Sequence, residues 1–125
     1  MPPLVGLTGS CALTVTEADT AVAVGSGSVQ VLATPRLLTL CEAATVSAVA
    51  NQLEAGTTTV GVTIQLDHLA PSPIGTNVRT EATVESSIGR KLIFTVCAWD
   101  DERLVAAGKI TRVVVDEAKF MGITT

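Results

Sequence analysis

Apolar residues recur at helical spacing in one stretch of this chain and at alternate positions in most of the rest. The helical stretch runs from Thr34 to Gly56, TPRLLTLCEAATVSAVANQLEAG. Thr34 offers an N-capping hydroxyl, Pro35 suits the first helical position, and Gly56 supplies the left-handed residue that commonly ends a helix. The spacing predicts a helix of about 19 residues. At 100° per residue, Arg36, Ser47, Asn51 and Glu54 fall in one polar sector. Opposite them lie Leu38, Thr45, Val46, Val49 and Leu53, with Glu42 in their midst. Ala and Leu fill most of the remaining circumference, so the helix is expected to be covered on most sides.

Alternation governs the other segments. Residues 11–16 and 20–25 alternate around Glu17-Ala18-Asp19 and suggest an early strand or hairpin. Gly25-Ser26-Gly27-Ser28 is a flexible link, too poor in glycine spacing for a phosphate-binding loop. Four further strands are predicted over 57–69, 76–87, 91–100 and 104–115. The turn-like separators 71–75, 87–90 and 100–103 are short, which implies antiparallel pairing. One long helix followed by four antiparallel strands predicts an α+β domain, the helix laid across one sheet face. Residues 1–125 read as a single domain without repeats or linkers. Such a sheet leaves apolar surface uncovered, and pairing with a second copy is the economical cover.

Composition narrows the function classes. The 125 residues contain 47% hydrophobic side chains but only two Phe and one Trp, and no Tyr. The core must therefore be built from Val, Leu, Ile and Ala. A net charge of −4 with so few aromatic rings argues against nucleic acid, because there is no basic stripe and no stacking platform. Three cysteines, Cys11, Cys41 and Cys97, are an odd number at unrelated spacings and read as free thiols in a reducing compartment. No signal-peptide pattern and no membrane-length apolar run is visible, so a cytoplasmic protein without a membrane partner is expected.

Three polar side chains sit where the pattern calls for apolar ones. Glu42 interrupts the apolar helix face, and a buried carboxylate is costly unless paired. In strand 57–69, Val60, Val62, Ile64, Leu66 and His68 share one parity, so the only histidine ends an apolar row. In the last strand, Leu104, Ala106, Gly108, Ile110, Arg112 and Val114 share a face, which places a guanidinium among aliphatic groups. Arg112 can be explained as a structural ion pair with Glu42, and His68 as a rim histidine bonded to a carbonyl. Together the three have the makings of a site: a carboxylate as nucleophile or general base, an imidazole to move protons, and a cation. Thr34, eight residues before Glu42, is either a helix cap or a fourth member. No nucleophilic-serine motif is present, and one histidine with scattered cysteines gives no metal-ligand spacing. No cofactor is implied.

The runs VLATPRLLTLCEAAT, TVGVTIQLDHLAPSPIGTNV, GRKLIFTVCAWDD and KITRVVV together resemble the hotdog-fold thioesterases of the fluoroacetyl-CoA thioesterase type. The most specific pieces are A-T-x-R-x-x-x-L-x-E, ending on Glu42, and H-x-A-x-x-P-x-G, starting on His68. The resemblance implies a hotdog fold: a central helix wrapped by a curved antiparallel sheet, dimerising with active sites at the subunit interface. It implies Thr34, Glu42 and His68 as the catalytic group, and Gly61 and Arg112 as substrate contacts. The substrate implied is an acyl-CoA and the assembly a homodimer, with a tetramer as the larger alternative. One departure matters. The family's aromatic lid before the helix is replaced here by Gly25 to Ser28, so a short acyl group is expected without fluoroacetyl selectivity. The alternatives are an acyl-CoA-binding module without catalysis and a hotdog dehydratase, whose histidine and acid motif is not found.

Overall fold

A computed structural model describes residues 3–101 and 103–122. Strand β1 (Thr8–Thr14) opens the chain, followed by a 3-10 turn (Glu17–Asp19) and the helical turn α1 (Ala21–Val24). The expected hairpin partner at 20–25 is therefore wound, not extended. The Thr20 hydroxyl caps the Ala23 amide, and Gly25 at φ +83° closes the turn in the left-handed region that glycine tolerates.

Helix α2 (Thr34–Ala48) is 15 residues long, shorter than the sequence suggests. Its N-cap is Ala33 and not Thr34, which is the first helical residue and so has its hydroxyl free for other work. Gly56 does not end the helix either. The chain leaves it at Val49 and turns through Asn51 at φ +63°, a conformation that Asn accepts more readily than most residues. Gly56 instead, at φ +81°, admits the chain to β2 (Thr57–His68). Strands β3 (Asn77–Ile88), β4 (Lys91–Asp100) and β5 (Arg103–Asp116) follow within a residue of their expected bounds, and the short helix α3 (Glu117–Phe120) ends the described chain.

The five strands form one curled antiparallel sheet in the order β1-β3-β4-β5-β2. Helix α2 lies in its concavity, mainly against β1 and β3. That placement depends on Gly9: a Cβ there would run into the Ala44 carbonyl and the Ala48 amide, so glycine lets helix backbone and strand backbone touch. The inward helix face is Leu37, Leu40, Cys41, Ala44, Thr45 and Ala48. One half packs on Ala82, Val84, Leu92, Phe94, Val96 and Ile110, the other on Val15, Leu32, Val78, Ala98, Val105 and Ala106. At about 1.5–3 kcal/mol for each large aliphatic or aromatic side chain fully buried, this interior is the main source of stability. Glu42 is thus not in the middle of the buried face but on its flank, beside Leu38 and Val46, of which Val46 is 49% exposed. Strand β2, at one edge of the sheet, runs along that flank, with Gly61 beside Glu42 and His68 beside Thr34. Among the described residues no helix is long and apolar enough to cross a membrane.

The parity assigned to β2 changes partway. A bulge at Gly61–Thr63 in the pairing of β2 with β5 inserts one residue, so the inward row passes from Thr59 to Ile64, Leu66 and His68. Val62, expected inward, is 55% exposed. The same irregularity brings Thr59 to the inward face, where Arg112 bonds to it.

Candidate active site

Two polar clusters flank α2. The first joins its N-terminal end to the last residue of β2: Thr34 Oγ1 and His68 Nδ1 lie 2.8 Å apart. Thr34 reaches the ring because Ala33, not Thr34, occupies the cap, and Pro35 follows it in the first turn. When the hydroxyl donates to Nδ1, the ring proton sits on Nε2. That nitrogen is buried and has no partner among the described residues. Burial holds the imidazole below its ordinary pKa, with the Ala70 backbone pulling the other way. Around it the first helical turn leaves the Thr34 and Arg36 amides without intrahelical acceptors, since Leu37 is the first to bond back, to the Ala33 carbonyl at 2.9 Å.

A cleft of about 570 Å³ opens over this pair, walled by Thr34, Pro35 and His68 on one side and by the 26–29 segment on the other. A larger cleft, about 800 Å³, lies between Leu53, Leu92, Val114 and Phe120 and holds none of the candidate residues. Its size alone gives it no chemistry, and the smaller one is where the functional groups converge.

The second cluster lies farther along the same helix. Arg112 Nη1 donates to Glu42 Oε2 at 3.1 Å, with 9% and 31% of the two side chains exposed. The guanidinium is locked from behind: Nε donates to Thr59 Oγ1 and Nη2 to the Thr59 carbonyl, both at 2.9 Å. A fixed planar cation of this kind orients one carboxylate oxygen and leaves the other available. Gly61 makes room for it, since a Cβ there would stand 2.6 Å from Glu42 Oε2 and 3.4 Å from Arg112 Nη1. The ion-pair explanation of Arg112 is therefore met in full, and Glu42 still keeps a solvent-facing share. Thr59 escaped the sequence reading because strict alternation put it outside. The signal was Gly61 itself, since an isolated glycine within a strand pattern often marks a bulge.

The structure thus joins Thr34 to His68, and Glu42 through Arg112 to Thr59 beside Gly61, but among the described residues no hydrogen bond links the two groups. Thr34 and Glu42 stand about 12 Å apart along the helix at 1.5 Å per residue. Among the described residues no cluster of His, Cys, Asp and Glu has metal-binding geometry.

A curled five-stranded antiparallel sheet around one helix is the architecture of the hotdog thioesterases. Residues 15–118 match the fluoroacetyl-CoA-specific thioesterase family, and the chain belongs to that family. It is 35% identical over 91 residues to the fluoroacetyl-CoA thioesterase of Streptantibioticus cattleyicolor, a match covering 73% of this chain and 66% of that relative, just under two thirds of its length. A variant of the fluoroacetyl-CoA thioesterase FlK, crystallised with acetyl-CoA, superposes with a TM-score of 0.88 at 29% identity, over 94% of this chain and 93% of that one. A thioesterase superfamily member from Thermus thermophilus superposes equally well, with a TM-score of 0.88 at 25% identity over 98% and 92% of the two chains.

Proposed function

We propose that this protein hydrolyses a short-chain acyl-CoA thioester to the free acid and CoA, with Thr34, Glu42 and His68 as its catalytic group. The observation that carries the proposal is the division of these residues into two clusters, each chemically half of a thioester hydrolase. Glu42, steered by Arg112, supplies the carboxylate that attacks the carbonyl carbon or draws a proton from the attacking water. His68, set in one tautomer by Thr34, hands a proton to the departing thiolate and regains the one that Glu42 took from water. The free amides at the start of α2, reinforced by the helix dipole, suit the developing oxyanion. Gly61 and Arg112 border the place where the acyl group would meet Glu42.

Two copies related by a two-fold axis complete the site. Strand β2 is an uncapped edge of 12 residues, and an edge of that length calls for a partner. Antiparallel pairing of the middle of β2 with its copy about a two-fold axis would carry His68 of one chain toward the Gly61 bulge of the other. A crossing of the two helices at Leu38, the midpoint of Thr34 and Glu42, would set those two residues opposite each other. The exposed Val46 and Val62 lie on the surface that such a dimer would cover. The homodimer is thereby part of the catalytic proposal.

The test is release of free thiol from a panel of acyl-CoA esters. Steady turnover is expected, and Glu42→Gln, which keeps shape and removes charge, should lower kcat by two or more orders of magnitude, about 3 kcal/mol of barrier, with the fold intact. Tight binding of the same esters without hydrolysis would instead mark a binding module.

A further inference from the structure

The specific helix motif contains one residue that the proposed chemistry leaves unused, Arg36. Its Nε donates to Asp19 Oδ1 at 3.0 Å. Asp19 is buried, and its other oxygen accepts both the amide and the hydroxyl of Thr16 at 2.8 Å. These bonds, the Thr16 amide foremost, hold the carboxyl below the usual range, so it is charged under all ordinary conditions. The Asp19 carbonyl also accepts the Ala33 amide at 2.9 Å. Asp19 therefore grips the start of α2 twice, once through its backbone and once through its side chain.

The segment between these two grips is a loop pinned only at its stem. Thr20 pairs with Leu32, and the Ala21 amide bonds to the Val31 carbonyl. From Val22 to Gln30 every residue is exposed, and Ser26, Gly27, Ser28 and Val29 form one wall of the cleft over Thr34 and His68. The far side of the stem is held by the Leu32 amide on the Ser72 carbonyl at 2.8 Å and by the bridge of Val31 to Pro73, and the Asp19–Arg36 bridge braces its near side beside Thr34.

We propose that Asp19 and Arg36 are positioning residues, a strut that holds the 21–30 loop over the Thr34–His68 pair. The proposal rests on the catalytic reading of that pair. Because Arg36 is one-third exposed, the bridge contributes little to global stability. Its removal should free the loop and leave the sheet intact.

The experiment compares the full-length wild type with Arg36→Gln and Arg36→Lys by amide hydrogen exchange and by steady-state kinetics on a short acyl-CoA. In Arg36→Gln, the Ala21, Val24, Gly25 and Ser26 amides, all bonded within the loop, should exchange on the order of tenfold faster while β4 is unchanged. KM should rise by a similar factor with kcat changed far less, since the loop acts on the bound substrate and not on the reacting atoms. Arg36→Lys keeps the charge without the guanidinium fork, and should recover part of both effects. Unchanged loop exchange in Arg36→Gln overturns the strut, and faster exchange with unaltered KM overturns its role over the site. Should the wild type hydrolyse no thioester, the catalytic reading fails, and loop exchange still decides whether the strut exists.

Discussion

Gly61→Ala separates the position of the Glu42 carboxylate from its presence. The added Cβ would lie 2.6 Å from Glu42 Oε2, nearly an ångström inside ordinary contact, and 3.4 Å from Arg112 Nη1. Gly61 does not use the left-handed region, so alanine meets no backbone penalty there. What must yield is the end of a partly exposed side chain, while Arg112 stays held by two bonds to Thr59. The carboxylate is therefore expected to swing away by roughly 1 Å, and a displacement of that order costs a reacting group about a hundredfold in rate. The fold should lose little, no more than about the 1–3 kcal/mol typical of overpacking. Thiol release from acetyl-CoA would report kcat, and thermal unfolding would report the fold. A kcat within twofold of wild type in a normally folded Gly61→Ala protein would show Glu42 to be either elsewhere or irrelevant to turnover.

Two further outcomes follow from the same geometry. The only histidine gives a single titrating ring signal, and in Glu42→Gln, where no facing carboxylate opposes burial, its midpoint should lie below the ordinary value of about 6.5. The unfolded chain then binds the proton first, so folding stability of that variant should fall as pH drops through about 6.5, the loss being complete below the folded midpoint; a midpoint above it in an NMR titration would contradict the burial. Selectivity should be weak: the cleft wall at residues 26–29 is small and has no aromatic ring. One methylene is worth only about 1–3 kcal/mol even in a good apolar pocket. Comparable kcat/KM is expected for acetyl, propionyl and fluoroacetyl thioesters, and a thousandfold fluoroacetyl preference would show that selectivity does not need such a lid.

The β-strands were legible because alternation with short turns is a strong local signal, and β3, β4 and β5 fall within a residue of it. The helix was legible in kind but not in its limits. Gly56 has a left-handed conformation, as a stop signal should, yet Asn51 took that role earlier and Gly56 serves the next strand. Propensity cannot rank two competent terminators whose choice is made by packing. Thr34, Glu42, His68 and Arg112 stood out because polar groups broke apolar periods. The bulge at Gly61 then moved Thr59 inward and Val62 outward, a shift of register that strict alternation cannot carry across an inserted residue. The Asp19–Arg36 bridge spans two segments whose proximity comes only from the pairing of Thr20 with Leu32, and so left no mark on either segment alone.

Subunit complementation tests directly whether one active site takes Thr34 and His68 from one chain and Glu42 from another. Glu42→Gln and His68→Ala are each prepared as nearly inactive proteins, mixed in equal amounts, dissociated and reassociated. In a mixed dimer one site then carries both substitutions and the other carries neither. Random reassociation makes about half of the dimers mixed, each with one intact site, so roughly a quarter of wild-type activity should return. A mixture that sediments as a dimer yet is no more active than its parents would contradict the shared site.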